Sequence, residues 1–163
     1  MKVIVDLQQV YDGDCPSSKQ LELWIETAYQ LGQISLGETA HDNDVELSIR
    51  LVDRDESAEL NSQYRGKEGA TNVLSFPFES PIEMEIDLLG DLVICVPIML
   101  AEAKQQGKAI NDHWAHLVVH GCLHLLGYDH IEDEEANMME ALEVTILQAL
   151  EIDDPYQQQE QQL

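Results

Sequence analysis

The clearest pattern in the chain is "VELSIRLV". Val45, Leu47, Ile49 and Leu51 alternate with Glu46, Ser48 and Arg50, the period-two signature of a half-buried strand. "KVIVDL" alternates in the same way through Val3, Val5 and Leu7. "NVLSFPF" predicts a third strand, and Pro77 marks an edge or an ending because proline cannot donate to a ladder. "DLLGDLVICV" predicts a fourth, with Gly90 at a bulge or a close backbone approach. The other patterned segments have a helical period. In "CPSSKQLELWIETAYQL", Leu21, Trp24, Ile25, Ala28 and Leu31 share one face, and Ser17 with Gln20 predicts a capping box. "DRDESAELNSQYR" predicts a short helix capped by Asp53 or Asp55. Pro97 suits the first turn of a helix that stops near Gly107. "NDHWAHLVVHGCLHLLG" predicts a helix from about Asp112 to Leu126, closed by Gly127. It is apolar on nearly all sides, so it should be the buried central helix. "IEDEEANMMEALEVTILQAL" predicts a last helix. Its acidic first turn suits the macrodipole, and its core stripe is Met138, Met139, Leu142, Ile146 and Leu150.

Strands and helices are interspersed, with no repeat and no linker. One α+β or α/β domain is expected over residues 1–152, followed by a polar tail, 153–163, expected to be disordered. "GETAHDND" and "ESPIEMEI" read as loops. The composition, 44% apolar over 163 residues, is that of an ordinary globular domain. The charge changes the picture. Eight Lys+Arg stand against 32 Asp+Glu, a net −24. That excludes a broad basic surface for nucleic acid. A polyanion must dock on a local patch, with a basic partner, or by metal contact. Cys15, Cys95 and Cys122 are odd in number and lack C-x-x-C spacing, as expected of thiols in a reducing compartment. No secretory leader and no membrane-length apolar run is evident. The expected location is the cytoplasm.

Five of the six histidines lie between His113 and His130, within "HWAHLVVHGCLHLLGYDH". His120 and His124 are four apart, so their rings share one helix face and can chelate one ion. Gly127 can take a left-handed turn at the helix end and bring His130 over the same face. Three imidazoles and one open position describe a catalytic zinc site. Nickel and copper also accept imidazole. His113 and His116 read as supporting or surface residues, with His116 a lesser candidate for a fourth ligand.

The spacing is that of H-E-x-x-H-x-x-G-x-x-H metallopeptidases, yet Gly121 stands where the general-base glutamate belongs. Glycine cannot act as a base, and it weakens a helix by about 1 kcal/mol relative to alanine. One reason to tolerate it is room for a chain segment or a substrate. A peptidase would need another base, with Asp129, Asp133 and Asp91 as candidates. A phosphodiester instead needs a Lewis acid and a cation for developing charge. Arg65 and Lys67 stand together in the glycine-rich, partly basic loop "YRGKEGATNVLSF", which suits phosphate contact.

Three blocks, "LNSQYRGKEGATNVLSFPFE", "LLGDLVIC" and "HLVVHGCLHLLGYDHIEDEEANMM", stand in one characteristic order. From about Val45 to Leu150 the chain resembles the YbeY-type rRNA maturation factors, the metal-dependent, single-strand-specific endoribonucleases of bacteria. Their motif is H-G-x-x-H-x-x-G-Y-D-H, so Gly121 is no lesion. The resemblance implies a small mixed sheet of about four strands packed with helices, with the metal in a cleft beside the central helix. It implies His120, His124 and His130 as ligands of one zinc ion and Arg65 as the functional cation. Asp91, beside Gly90, would be a site-supporting residue. Asn72 stands where many members have Asp, though some share the Asn. The implied substrate is single-stranded RNA, not DNA, in maturation of the 16S rRNA 3′ end and in ribosome quality control. Basic ribosomal proteins would hold so acidic an enzyme near its RNA. Lys67 would help bind phosphate, with Gly127 and Asp129 supporting the site. A metal hydrolase of another class, such as a metallopeptidase, and a non-catalytic ribosome assembly factor with a structural metal remain as alternatives.

Overall fold

The alternation in β2 (Asp44–Val52) sets the sheet: Val45, Leu47, Ile49 and Leu51 are all buried. The computed structural model describes residues 1–37, 43–79, 86–129 and 131–156. Most of the two expected loops at 37–44 and 79–86 lies outside that description, as does 157–163. Among the described residues there are four strands and five helices. In chain order they are β1 (Val3–Gln9), α1 (Ser18–Ser35), β2, α2 (Arg54–Arg65), β3 (Val73–Pro77), β4 (Ile86–Cys95), α3 (Val96–Gln106), α4 (Ile110–Leu125) and α5 (Asp133–Ala149). The sheet order is β1-β2-β4-β3. β1 and β4 run parallel to β2, and β3 runs antiparallel to β4. This is the mixed four-stranded sheet of an α+β domain, as expected.

Pro77 closes β3, an edge strand, where a missing N–H costs no ladder bond. At Gly90 the register against β2 shifts, so that Glu46 faces Leu88 and Leu47 faces Gly90. A Cβ there would stand 2.1 Å from the carbonyl oxygen of Phe76, and φ is 133°. Only glycine tolerates both.

Strand parity divides the core. Leu92 and Ile94 of β4 join the main cluster with α1, α4 and α5. Val93 points the other way, with Leu74 and Val52, and Leu60 of α2 packs there. α4 buries ten residues, among them Trp114, Leu117, Val118 and Leu123, as its apolar circumference predicts. The Ser17 hydroxyl accepts from Gln20 N–H at 3.2 Å. Only half of the capping box forms, because the Gln20 side chain donates to Asn111 on α4 instead. On α5 the expected stripe holds at Met139 and Ile146, which are buried, and at Leu142 and Leu150, which pack partly buried on the core. Met138 is instead 59% exposed, and Glu143 and Leu147 face inward.

Candidate functional site

The two histidines four apart on α4 meet as their spacing predicts. His120 Nε2 and His124 Nε2 stand 3.0 Å apart. Two bonds of ~2.05 Å from one zinc ion to atoms so placed would subtend roughly 94°, open enough for shared coordination. Past His124 the helix closes in a Schellman turn: Tyr128 N–H donates to Leu123 O and Gly127 N–H to His124 O, both at 3.0 Å. Gly127 sits at φ 102°, a conformation that favours glycine. The turn is anchored because the Tyr128 hydroxyl donates to Gly32 O on α1 at 2.7 Å. His130, the expected third ligand, lies outside the described residues.

Behind the pair sits a carboxylate that the sequence reading passed over. Glu143 of α5 is fully buried. Its Oε1 lies 2.5 Å from His120 Nδ1 and its Oε2 lies 2.8 Å from His116 Nε2. The Tyr156 hydroxyl donates to Oε2 at 2.6 Å. Burial alone would raise the Glu143 pKa, but hydrogen bonds from His116 and His120 outweigh it and hold the group down to about 2. An ionised carboxylate only accepts. His120 therefore carries its proton on Nδ1, which leaves the Nε2 lone pair facing His124. Burial pushes the His116 pKa down despite Glu143. The neutral ring keeps its one proton on Nε2, and its buried Nδ1 has no hydrogen-bond partner among the described residues.

Ligand atoms of His116, His120 and Glu143 lie within 4.8 Å of one another, a grouping that could hold a metal ion. The hydrogen bonds favour the other side of the His120 ring for the ion. Both Glu143 oxygens are already engaged, and a carboxylate on Nδ1 of a ligating histidine is a common way to fix its tautomer and orientation.

A cleft of about 800 Å³ opens over the His120–His124 pair, and Arg65, Lys67, Asn72, Gly127 and Asp129 also line it. Arg65 ends α2, where Gly66 turns the chain at φ 65°. Its Nη2 donates to Ser75 O at 2.6 Å, and its guanidinium lies 5.9 Å from the centroid of the Phe76 ring. These contacts hold the cation at the cleft wall, and among the described residues its other donors meet no further hydrogen-bond partner. Asn72 donates to both oxygens of Glu102, at 3.2 and 3.3 Å, and Glu102 in turn meets His113 Nε2 at 3.0 Å.

Asp91 is not among the residues that line this cleft. It shares strand parity with Val93, so it faces away from α4. There it accepts from the Ser48 hydroxyl at 2.5 Å and lines a separate depression with Asp6 and Glu46.

Gly121 does not face the cleft either. A Cβ on it would stand 2.8 Å from Leu92 Cδ2 and 3.4 Å from Val73 Cγ2. The room it makes is for the sheet.

A family profile described as Endoribonuclease YbeY matches residues 12–151. The chain belongs to the YbeY endoribonuclease family. An Endoribonuclease YbeY from Colwellia psychrerythraea is 51% identical over 160 residues, covering 98% of this chain and 100% of that protein. The solution structure of TM1509 from Thermotoga maritima superposes with a TM-score of 0.55 at 25% identity, covering 91% of this chain and 92% of that one.

Within this YbeY-family chain, sequence reasoning missed Glu143 and Tyr156. Glu143 had a signal: it is the one acid on the inward face between Met139 and Ile146, where an unpaired charge would be costly. Tyr156 had none, because it lies in a polar segment expected to be disordered. In the structure Pro155 is buried and Tyr156 half-buried, so 153–156 belong to the folded body.

Proposed function

We propose that this chain is a cytoplasmic, zinc-dependent endoribonuclease specific for single-stranded RNA. Its reaction would mature the 16S rRNA 3′ end and serve ribosome quality control. His120, His124 and His130 would hold one ion. The observation that carries the reading is the His120–His124 nitrogen pair, 3.0 Å apart, in one cleft with Arg65 and Lys67. In a chain of net charge −24, two cations beside an imidazole pair suit a phosphodiester. Family membership and a 51% identical relative named as an endoribonuclease support RNA as the substrate.

The donors fit the metal. Imidazole nitrogens suit zinc, as they suit nickel or copper, and the Glu143 carboxylate keeps the His120 proton away from the cleft. Zinc, when bound, would supply a Lewis acid that polarises phosphoryl oxygen and acidifies water. Arg65 would meet the charge developing on phosphorus-bound oxygen, and Lys67 would bind a flanking phosphate. Gly127 would fix the turn that leads from His124 toward His130, and Asp129 would support the cleft wall. A metallopeptidase is disfavoured because position 121, where the motif glutamate would stand, packs on Leu92 and Val73. Basic ribosomal proteins would bring so acidic a chain to its RNA.

The test compares wild type, Arg65→Ala and His124→Ala, each checked for folding and metal content, on single-stranded RNA and on a peptide library. Arg65→Ala should keep its metal and lose RNA cleavage by ~10²-fold or more, the scale for one transition-state donor. RNA cleavage at the wild-type rate in Arg65→Ala, or in fully metal-stripped protein, would overturn the reading.

A further inference from the structure

Beyond α5 the chain turns back on itself. Ile152 N–H donates to Leu147 O at 2.8 Å and Glu151 N–H to Gln148 O at 3.0 Å. Ile152 packs on the core, Pro155 is buried, and Tyr156 N–H is held by Asp154 Oδ1 at 2.8 Å. These contacts deliver Tyr156 to the rear of the histidine site. Its ring meets His116 edge-on, with centroids 5.5 Å apart. Its hydroxyl donates to Glu143 Oε2 at 2.6 Å. The family match ends at residue 151, so this contact comes from outside the matched segment.

We propose that Tyr156 is a positioning residue for the metal centre, acting through Glu143 on His120. The inference rests on the reading above that His120 is a ligand. Glu143 offers two oxygens: Oε1 meets His120 Nδ1, and Oε2 meets both His116 and Tyr156. The terminal carboxylate torsion of a glutamate is soft. Two donors on Oε2 fix that torsion and so fix Oε1 against His120. Without the Tyr156 hydroxyl only His116 holds Oε2, so the carboxylate is set less tightly and the imidazole it orients is held less firmly. The ring, with Pro155, also walls a pocket of about 150 Å³ that touches Glu102, Lys108, His116 and His120.

The experiment uses full-length protein: wild type, Tyr156→Phe and His124→Ala. Zinc affinity is measured by competition with a chromophoric chelator. The visible spectrum of the cobalt-substituted protein reports ligand geometry, and thermal unfolding of the metal-free proteins reports the fold. Tyr156→Phe keeps the ring, so its metal-free fold should match wild type. Its zinc affinity should fall ~10-fold, the lower end of the range for partners of a ligating histidine, and its cobalt bands should shift. Wild-type affinity and an unchanged cobalt spectrum in Tyr156→Phe, with zinc binding lost in His124→Ala, would overturn this proposal alone. Zinc binding unchanged in His124→Ala as well would overturn both it and the metal assignment beneath it.

Discussion

Replacing Gly121 tests why the protease glutamate is missing. A β-carbon at this position would lie 2.8 and 3.2 Å from the two methyls of Leu92 and 3.4 Å from Val73 Cγ2. Apolar carbons prefer about 3.5–4.0 Å, so the closest contact is roughly 1 Å too short. Leu92 is fully buried and has little room to yield. Gly121→Ala should gain about 1 kcal/mol of helix propensity and lose about 1–3 kcal/mol to overpacking. The net effect is a loss of about 0–2 kcal/mol. Gly121→Glu adds a longer chain and a carboxylate against the same two apolar side chains. With overpacking and an unpaired buried charge together, the cost should exceed about 4 kcal/mol, a large part of a domain's total stability. Urea titration followed by far-UV circular dichroism measures both variants. A fluorogenic peptide assay on Gly121→Glu should show no gain of peptidase activity. A Gly121→Ala midpoint raised by the full propensity gain would refute the packing argument. So would a Gly121→Glu protein with the wild-type midpoint.

Three further outcomes are expected. Burial pushes the Cys122 thiol up to about 12, and burial also raises Cys95 and the partly buried Cys15; a thiol reagent at pH 8 should find only Cys15 in native protein and all three thiols in urea. Burial would raise the Glu102 pKa, but hydrogen bonds from His113 and Asn72 more than offset it and hold the carboxyl low. Its contribution to stability is therefore complete above the unfolded carboxylate pKa of about 4.3 and lost as pH falls through the lower folded value. Thermal midpoints between about pH 5 and pH 3 should fall less steeply in Glu102→Gln than in wild type; equal slopes would contradict the assignment. Glu151 holds a left-handed φ of 63° in the turn after α5, so Glu151→Gly should stabilise the protein by roughly 0.5–1 kcal/mol in urea titration.

Much of this architecture is legible locally. The alternation in β2 and the all-round apolarity of α4 each dictate burial without help from the rest of the chain. The His120–His124 pairing follows from helix geometry, and the Gly127 turn from the cost of positive φ. Other features depend on what packs against them. Asp91 and Val93 share one strand face, but parity cannot say which face α4 covers. Met138 and Met139 fit an apolar stripe about equally well, and only docking on α4 selects Met139. Glu143 becomes intelligible once α5 lies beside two histidines, His116 and His120, that need an acceptor. Tyr156 depends on a polar segment doubling back, for which periodicity carries no sign.

The position of the ion is the most direct test of the metal assignment. Crystals of the protein grown with zinc and measured at the zinc absorption edge would give an anomalous difference peak. That peak should lie in the Arg65 cleft, about 2.0–2.1 Å from both His120 Nε2 and His124 Nε2. A peak bonded to a Glu143 oxygen, between His116 and the Nδ1 side of His120, would contradict it.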